Sequence, residues 1–290
     1  MEQVPRAVSS CGAIGVTYDG HEPALLARML PLVDYVEVTL EAISKLDDGA
    51  LRLDEEVLSE LKMIENDVNI VLHGVGLSIG SHDGWSPDYF PLLDAFLDRI
   101  HVAWHSEHLA YTRVDGQHLG IMLALPRTEE TLDLVCGRVE AIQKKYPLPF
   151  LLEHVVHVVP DAEGDYTAAG FLNALTERTG CGLILDPYNL ECDAHNIRFD
   201  IAAFLDELNF EPIREMHMAC GVEHNGFLLD VHSRLTRPST VALGQGVARQ
   251  LQRNDLAIVY EFMAEAIPHL GHDAIVNELG QLRSAFGCAP

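Results

Sequence analysis

The sequence predicts a single-domain α/β protein built as a closed (β/α)₈ barrel of the TIM type. Short apolar runs alternate with longer amphipathic runs eight times along the 290 residues. Several apolar runs are rich in Val and Ile, as is typical of parallel strands that are buried on both faces. Eight strands that are each followed by a helix favour a closed barrel over an open sheet. An open doubly wound sheet is the alternative, but no GxGxxG motif follows the first apolar run.

The predicted strands are the eight apolar runs, at residues 13–18, 33–40, 69–75, 101–109, 150–155, 182–189, 213–220 and 257–263. The predicted helices are the amphipathic runs, at residues 22–30, 54–66, 87–100, 128–145, 168–179, 201–208, 239–253 and 272–286. Ser86 and Pro87 resemble a helix cap followed by proline at the first helical position, and Gly180 is expected to end the helix before it. No linker rich in Pro, Gly or Ser interrupts the pattern, so residues 1–290 are expected to form one domain.

The charge and the cysteines exclude several classes of partner. Subtracting 44 acidic residues from 19 basic ones gives a formal net charge of −25. Such a field repels polyphosphate, so neither nucleic acid nor an anionic membrane is an expected partner. No apolar signal segment follows Met1, and no run approaches the ~18 apolar residues of a membrane span. The six cysteines form no CxxC pair and are expected to be free thiols in the cytoplasm.

Imidazole and carboxylate groups end six successive predicted strands. Because the carboxyl ends of barrel strands converge on one mouth, these side chains are expected to lie together there. Buried ionised groups require partners or a metal, and carboxylate with imidazole suits iron, zinc or manganese. The groups concerned are His73, then His105, Glu107 and His108, then Glu153 and His154, then Asp186, then Glu215 and His217, and finally Glu261.

Two further segments add donor atoms to this mouth. Residues 186–196 are expected to form a loop dense in oxygen and nitrogen donors, and Asp230 and His232 share a face if their segment is extended. The supply exceeds the needs of one ion, so two or three metals are plausible. One ion would lie among Glu153, Asp186, His217 and Glu261, with Glu153 bridging to a second ion held by His73 and His108. A third would bind to Asn189, His195, Asp230 and His232.

Several segments together resemble a known family, the multinuclear non-haem iron-dependent oxidative enzymes (MNIO). This family includes the methanobactin-synthesis oxidase and the thiaglutamate-pathway enzyme that excises a cysteine β-carbon. The similar segments occur in the same order over roughly residues 12–265, which makes the set more specific than any one of them. They are Leu72-His73-Gly74-Val75-Gly76-Leu77-Ser78-Ile79-Gly80, Ser106-Glu107-His108-Leu109, Leu152-Glu153, Leu185-Asp186 with Asn189, Ala194-His195-Asn196, Glu215-Met216-His217, Asp230-Val231-His232 and Tyr260-Glu261.

The resemblance implies a barrel that binds two or three iron ions in a mixed-valence Fe(II)/Fe(III) state and uses O₂ as a cosubstrate. It implies oxidation of a cysteine in a ribosomally synthesised precursor peptide, recruited by a separate small partner protein. By position, the first iron takes His73, His108 and Glu153. The catalytic second iron takes Glu153, Asp186, His217 and Glu261, and the third takes Asn189, His195, Asp230 and His232.

The chain departs from the family at two places. Asp186-Pro187-Tyr188-Asn189 stands where Asp-Val-Asn-Asn is usual, and Cys220-Gly221 stands where a histidine often follows Ala-Gly. These departures bear on the third metal and on the substrate contacts. Side chains expected to support the ligands are His105, Glu107, His154 and Tyr188, and those expected to bind substrate carboxylates are Arg113, Arg234 and Arg237.

Two other functions remain open on the residues alone. A divalent-metal sugar isomerase, epimerase or endonuclease would use a comparable ring of Glu, Asp and His on the same barrel. Only four lysines occur in the chain, all predicted on or beside outer helices, and the charge disfavours DNA. A binding barrel without enzymatic activity is the third hypothesis, but it would not need polar side chains at six strand ends.

Overall fold

Eight parallel strands close into a barrel in a computed structural model that describes residues 12–20, 22–159, 164–251, 253 and 255–287. Going around the barrel, these strands stand in the order in which they occur along the chain, and the last pairs with the first to close it. The predicted (β/α)₈ barrel is therefore confirmed. These strands are β1 (Ala13–Thr17), β2 (Tyr35–Val38), β5 (Asn69–Gly74), β6 (His105–His108), β9 (Phe150–Glu153), β10 (Gly182–Leu185), β11 (Ile213–Met218) and β14 (Ala257–Tyr260).

The helices lie outside the barrel; eight of those described lie close to a predicted helix, whereas α6 and α9 were not predicted. They are α1 (Pro23–Met29), α2 (Glu55–Ile64), α3 (Tyr89–Leu97), α4 (Glu129–Lys145), α5 (Ala168–Thr179), α6 (Pro187–Ile197), α7 (Ile201–Glu207), α8 (Pro238–Leu251), α9 (Ile267–Leu270) and α10 (His272–Phe286). As expected, Gly180 ends α5 in the left-handed conformation, with φ 69°. The main apolar core lies between these helices and the barrel wall.

Two local predictions were wrong. The strand predicted over residues 182–189 stops at Leu185, and the donor-rich segment after it is helix α6 rather than a loop. Asp186 caps this helix through its side chain and Pro187 takes the first position, a pattern that favours a helix start. Ser86 and Pro87 do not start a helix, because α3 begins at Tyr89.

In the described residues, three β-hairpins, none of them predicted, follow barrel strands at the mouth. They are β3 (Ser44–Asp47) with β4 (Ala50–Leu53), β7 (Ala110–Val114) with β8 (Gln117–Ala124), and β12 (Val222–His224) with β13 (Phe227–Leu229). Each turns on an Asp-Gly or Asn-Gly pair in which both residues have positive φ. Such pairs favour the two-residue type I′ turn, so the sequence did contain a signal for these hairpins. The pairs are Asp48-Gly49, Asp115-Gly116 and Asn225-Gly226.

The inside of the barrel is layered. A small apolar cluster fills one level of the interior, formed by Ala13, Tyr35, Val71 and Ala257 with the ring of Trp104. Buried carboxylates adjoin this cluster: Glu37 lies two residues beyond Tyr35 on β2, and Glu215 on β11 accepts a hydrogen bond from Trp104. The histidines and carboxylates of the strand ends come next. The interior therefore changes from apolar to ionisable along the barrel axis.

Four of the six cysteines are described, and all four are buried free thiols, as expected: Cys136, Cys181, Cys192 and Cys220. Cys11, Cys288 and the segment after Met1 lie outside the described residues. No helix in the described part of the chain has the length and apolar character needed to span a bilayer.

The β12–β13 hairpin depends on a glycine at its start. A Cβ at Gly221 would clash with the backbone carbonyl of Leu229 on the opposite strand. Because the clashing atom belongs to the backbone, it cannot move away as the end of a flexible side chain could. We expect Gly221→Ala to lower the free energy of unfolding by about 3 kcal/mol, as overpacking does. Urea denaturation followed by circular dichroism measures the change.

Gly137 supplies the matched control for this substitution. It is exposed on α4, and a Cβ there would meet nothing within 4 Å. Gly137→Ala is expected to raise the stability by about 0.5–1 kcal/mol, because alanine favours the helix. Equal denaturation midpoints for the two variants would contradict the packing argument.

Candidate metal centre

Two histidines on adjacent strands face the same carboxylate. His73 on β5 and His108 on β6 place their Nε2 atoms 3.4 Å apart, at 3.2 Å and 3.5 Å from Oε2 of Glu153. Their ligand atoms form a group whose members all lie within 4.8 Å of one another. The three side chains come from neighbouring strands β5, β6 and β9, because the strand order places those ends side by side.

The other nitrogen of each ring is held by a neutral acceptor. His108 Nδ1 lies 3.0 Å from the carbonyl oxygen of Gly74, which can only accept a hydrogen bond, so Nδ1 carries the proton. His73 Nδ1 lies 2.9 Å from Ser106 Oγ, and that hydroxyl donates to the carbonyl oxygen of Leu72. Both contacts favour Nε2 lone pairs that point toward Glu153. This is the tautomer that a metal ligand requires.

A second group shares the same carboxylate oxygen. His217 Nδ1 lies 3.4 Å from Glu153 Oε2 and 3.0 Å from Glu261 Oε2. Asp186 joins Glu153 and His217 in a group whose ligand atoms lie within 4.8 Å of one another. One oxygen of Asp186 accepts hydrogen bonds from the backbone N–H groups of residues 188 and 189, while Oδ2 is buried and has no hydrogen-bond partner among the described residues.

The structure brings only some of the residues predicted for a third ion close to one another. Asp230 Oδ1 lies 2.9 Å from His232 Nε2, which lies 3.7 Å from Glu261 Oε2. Asn189 donates to Glu153 Oε1, and its own Oδ1 is buried with no hydrogen-bond partner in the described part of the chain. His195 lies apart from them, since it is exposed on α6 with Nε2 3.1 Å from the carbonyl oxygen of Gly226 at the hairpin turn. The segment that carries His232 is not extended, because that residue has φ 43°.

Burial and neighbouring charges shift the pKa values in opposite directions. Burial alone would raise the pKa of Glu153, but the charges of the surrounding imidazoles hold it well below its usual value. The pKa of Glu261 falls to about 2, because His217 and His232 outweigh its burial. Burial and the nearby carboxylates Asp230 and Glu153 raise the pKa of Asp186 well above its usual value.

For the histidines, burial lowers the pKa, whereas nearby carboxylates raise it. Burial disfavours a charged ring, but the carboxylates Glu261 and Glu153 raise the pKa of His217 well above its usual value. The pKa of His73 rises to about 9 through its contact with Glu153, against the effect of burial. The pKa of His108 falls to about 4, because burial and the charge of His73 both oppose its protonation. Protons on some of these rings therefore balance the buried carboxylates.

The donor set fits a transition-metal centre. Several donor atoms are buried and have no hydrogen-bond partner among the described residues, although they face one another at short range: Glu153 Oε2, Asp186 Oδ2, Asn189 Oδ1, His217 Nδ1, Asp230 Oδ1 and His232 Nε2. Buried polar atoms without such partners are rare in native proteins. Imidazole and carboxylate donors, with no cysteine in any of these groups, suit iron and its neighbours in the first transition row.

Alternate residues of β6 face opposite sides of the barrel wall, so its candidate residues have different roles. On β6, Ser106 and His108 face the interior, whereas His105 and Glu107 point to the helices. Glu107 accepts hydrogen bonds from the N–H groups of Leu77 and His108, so it fixes the loop after β5. His105 packs 4.7 Å from the ring of Phe150 and takes no part in the ligand groups found among the described residues.

The other supporting candidates lie near the site without joining these groups. His154 points away from Glu153 and lines a small cavity of about 50 Å³ between the barrel and α5–α7. Tyr188 is buried, and the guanidinium group of Arg237 lies 5.2 Å from the centre of its ring. Arg113 and Arg234 donate to backbone carbonyls close to them in sequence.

Two further buried carboxylates lie beside His217: Glu37, which was not predicted at the site, and Glu215, which was expected at the mouth but was not assigned as a ligand. Glu37 Oε2 lies 3.4 Å from His217 Nε2, and Glu215 Oε1 lies 3.7 Å from the same nitrogen. Burial raises the pKa of Glu37 to about 7. The sequence held a signal for both: Glu37 interrupts the apolar run Tyr35-Val36-Glu37-Val38, and Glu215 lies two residues before His217, on the same face of the strand.

Comparison with known proteins identifies the family. A family model described as the RiPP precursor modification enzyme MbnB/TglH/ChrH matches residues 13–285, where RiPP denotes a ribosomally synthesised and post-translationally modified peptide. The chain belongs to this family. The resemblance seen in the sequence is thereby confirmed, and the ordered set of strand-end donors lies within the matched residues.

Relatives over most of the chain have similar lengths. A UPF0276 protein from Caulobacter vibrioides is 31% identical over 242 residues, which cover 81% of this chain and 84% of the relative. A UPF0276 protein from Anaeromyxobacter is 30% identical over 252 residues, which cover 87% and 88%.

Solved structures share the barrel at low identity. A xylose isomerase domain-containing protein from Salmonella typhimurium matches with a TM-score of 0.65 at 11% identity, covering 96% of this chain and 98% of the other. The IOLI protein, solved with a bound zinc atom, matches with a TM-score of 0.61 at 14% identity, covering 94% and 97%. At such identities these matches show the fold alone.

The surroundings of His105 generate a prediction about acid stability. Burial, and secondarily the charge of His73, lowers the pKa of His105 to about 3, so the ring is neutral in the native state. In the unfolded chain its pKa is about 6.5, so the unfolded state takes up the proton first as the pH falls. This stabilising contribution is complete above pH ~6.5 and is lost as the pH falls toward 3.

We expect this single group to remove about 2 kcal/mol of unfolding free energy between pH 7 and pH 5. The variant His105→Phe keeps an aromatic ring in contact with Phe150. Between pH 7 and pH 5, its free energy of unfolding should fall by about 2 kcal/mol less than that of the wild type. Urea unfolding at the two pH values measures the difference. Equal acid sensitivity of the two proteins would show that His105 is not the group responsible.

Proposed function

We propose that the protein is a multinuclear non-haem iron enzyme that uses O₂ to oxidise a cysteine of a ribosomally synthesised precursor peptide. One observation carries the proposal: Glu153 Oε2 lies within 3.2–3.5 Å of imidazole nitrogens from His73, His108 and His217. A carboxylate shared in this way is suited to bridge two ions. In a member of a RiPP-modifying family, the arrangement supports a multinuclear centre rather than a mononuclear one.

The proposed ligands follow the groups in the structure. The first iron takes His73, His108 and Glu153, and the second, where catalysis occurs, takes Glu153, Asp186, His217 and Glu261. The third set, predicted as Asn189, His195, Asp230 and His232, has its Asp–His pair beside Glu261. Bound iron supplies a Lewis acid that lowers the pKa of a substrate thiol, together with electrons for the reduction of O₂.

The polypeptide contributes the orientation of its ligands. Gly74 and Ser106 fix the tautomers of His108 and His73, and the start of α6 leaves one Asp186 oxygen free toward the site. The apolar cluster inside the barrel, which includes Tyr35 and Trp104, closes the interior away from the mouth. Substrate must therefore approach from the rim that carries the hairpins.

The rim suits a macromolecular ligand. Each of the three hairpins exposes large apolar side chains: Leu46 and Leu51 on the first, Val114, Leu119 and Ile121 on the second, and Phe227 on the third. Exposed apolar groups around a site are typical of surfaces that bind peptides or proteins. They support the proposal of a peptide substrate and a small recruiting protein.

The decisive experiment compares turnover with and without oxygen. The iron-loaded protein is incubated with cysteine-containing candidate precursor peptides, and the products are analysed by mass spectrometry. We expect a mass change confined to the peptide's cysteine, absent for the Cys→Ser peptide and abolished under anaerobic conditions. Glu153→Ala should abolish turnover, because both ions lose a ligand.

Glu278→Gln is the matched control for Glu153→Ala, since Glu278 is a buried carboxylate on α10 that is bonded to the N–H of Thr236 and lies outside the ligand groups. Its turnover should equal that of the wild type. Undiminished turnover without O₂ would defeat the oxidative proposal. Purified protein that contains zinc or manganese and isomerises sugars would support the isomerase–epimerase alternative instead.

The third ion can be tested by counting metals. We expect His232→Ala to lower the iron content by about one ion per chain, because His232 faces both Asp230 and Glu261. His195→Ala should leave the content unchanged, because that ring is exposed and lies against the hairpin turn. Elemental analysis of the protein reconstituted with iron gives the answer. A loss of one ion in His195→Ala would restore His195 to the ligand set.

A further inference from the structure

A pair of carboxylates lies on the opposite side of the His217 ring from the proposed iron ligands. His217 Nδ1 faces Glu261 and Glu153, whereas Nε2 faces Glu37 Oε2 at 3.4 Å and Glu215 Oε1 at 3.7 Å. The ring itself is completely buried. It therefore separates two groups of carboxylates that come from different strands.

The two carboxylates are held differently. Trp104 Nε1 donates a hydrogen bond to Glu215 Oε2 at 2.8 Å, which leaves Oε1 as the oxygen turned toward His217. That oxygen and both oxygens of Glu37 are buried and have no hydrogen-bond partner among the described residues. His217 Nε2 is likewise buried without a hydrogen-bond partner among the described residues, and it faces Glu37 Oε2 at 3.4 Å and Glu215 Oε1 at 3.7 Å.

The Nε2 side of the ring is closed to substrate. The apolar cluster of Ala13, Tyr35, Val71 and Ala257 lies further into the barrel, with Trp104 packed against it. The Nδ1 side instead faces Glu153 and Glu261, at the carboxyl ends of the strands. A neutral imidazole has one N–H and one lone pair, so the two sides must serve different purposes.

We infer that Glu37 and Glu215 are positioning residues that hold the Nε2–H tautomer of His217 and so direct its Nδ1 lone pair to the metal. This inference rests on the proposed metal centre. A metal-bound histidine commonly donates its other N–H to a carboxylate, which fixes the ring and strengthens the ligand. Here two strands, β2 and β11, each supply such a carboxylate.

The test measures Co²⁺ affinity by optical titration of the full-length protein. Glu37→Gln and Glu215→Gln are each expected to weaken binding by about 10–100-fold without changing the number of ions bound. Glu278→Gln is the control for neutralising a buried carboxylate and should bind Co²⁺ as the wild type does. Unchanged affinity in both variants would overturn the inference.

The outcome also separates positioning from direct ligation. Glu37, His73 and His217 themselves form a group that could hold an ion, so the loss of one bound ion in Glu37→Gln would show that Glu37 is a ligand and would overturn the inference. His217→Ala is expected to lose an ion. If it binds Co²⁺ as the wild type does, the proposed metal centre fails, and the positioning role fails with it.

A second measurement does not depend on variants that fold. In ¹⁵N-histidine-labelled wild type loaded with Zn²⁺, we expect the His217 Nε2 resonance to show an attached proton and Nδ1 to show the shift of a metal-bound nitrogen. A metal-bound Nε2 would overturn the inference. A purely structural role for the two carboxylates would leave the tautomer undetermined, so this readout is specific to positioning.

Discussion

One oxygen of Glu153 lies in contact distance of three imidazole rings that come from β5, β6 and β11. Burying this carboxylate beside Asp186 and Glu261 places several like charges in a region from which water is largely excluded. Such an arrangement is stable only when protons or cations balance the charge. The lowered pKa values of Glu153 and Glu261 and the raised pKa values of His73 and His217 express this constraint.

The barrel meets the constraint through its geometry. Parallel strands deliver their carboxyl ends to one rim, so donors that are far apart in the chain become neighbours. Because side chains alternate along each strand, one face of a strand contributes to the site while the other packs against the surrounding helices. On β6, His108 serves the site while His105, three residues earlier, packs against aromatic rings in the outer core. Neither role could be changed without shifting the register of the strand.

The supporting contacts are as specific as the donors. Ser106 and Gly74 select one tautomer for two histidines, and Glu107 holds the loop that follows β5. The helix α6 begins at a proposed ligand, so the cap of the helix and the orientation of Asp186 are one feature. Because ligand geometry and local folding share these residues, substitutions at them would affect metal binding and stability together.

The sequence by itself determined the barrel, the order of its strands and most of the strand-end donors, because apolar periodicity and polar strand ends are local properties. The convergence of His73, His108 and His217 on one oxygen of Glu153 was decided by tertiary structure, since it depends on the register of the strands and the direction of each side chain. The same applies to the exposed position of His195, which is set by the packing of α6 against the hairpin. The partner of Glu37 was also decided by tertiary structure, because an acidic residue in an apolar strand does not reveal that it will face His217 across the barrel.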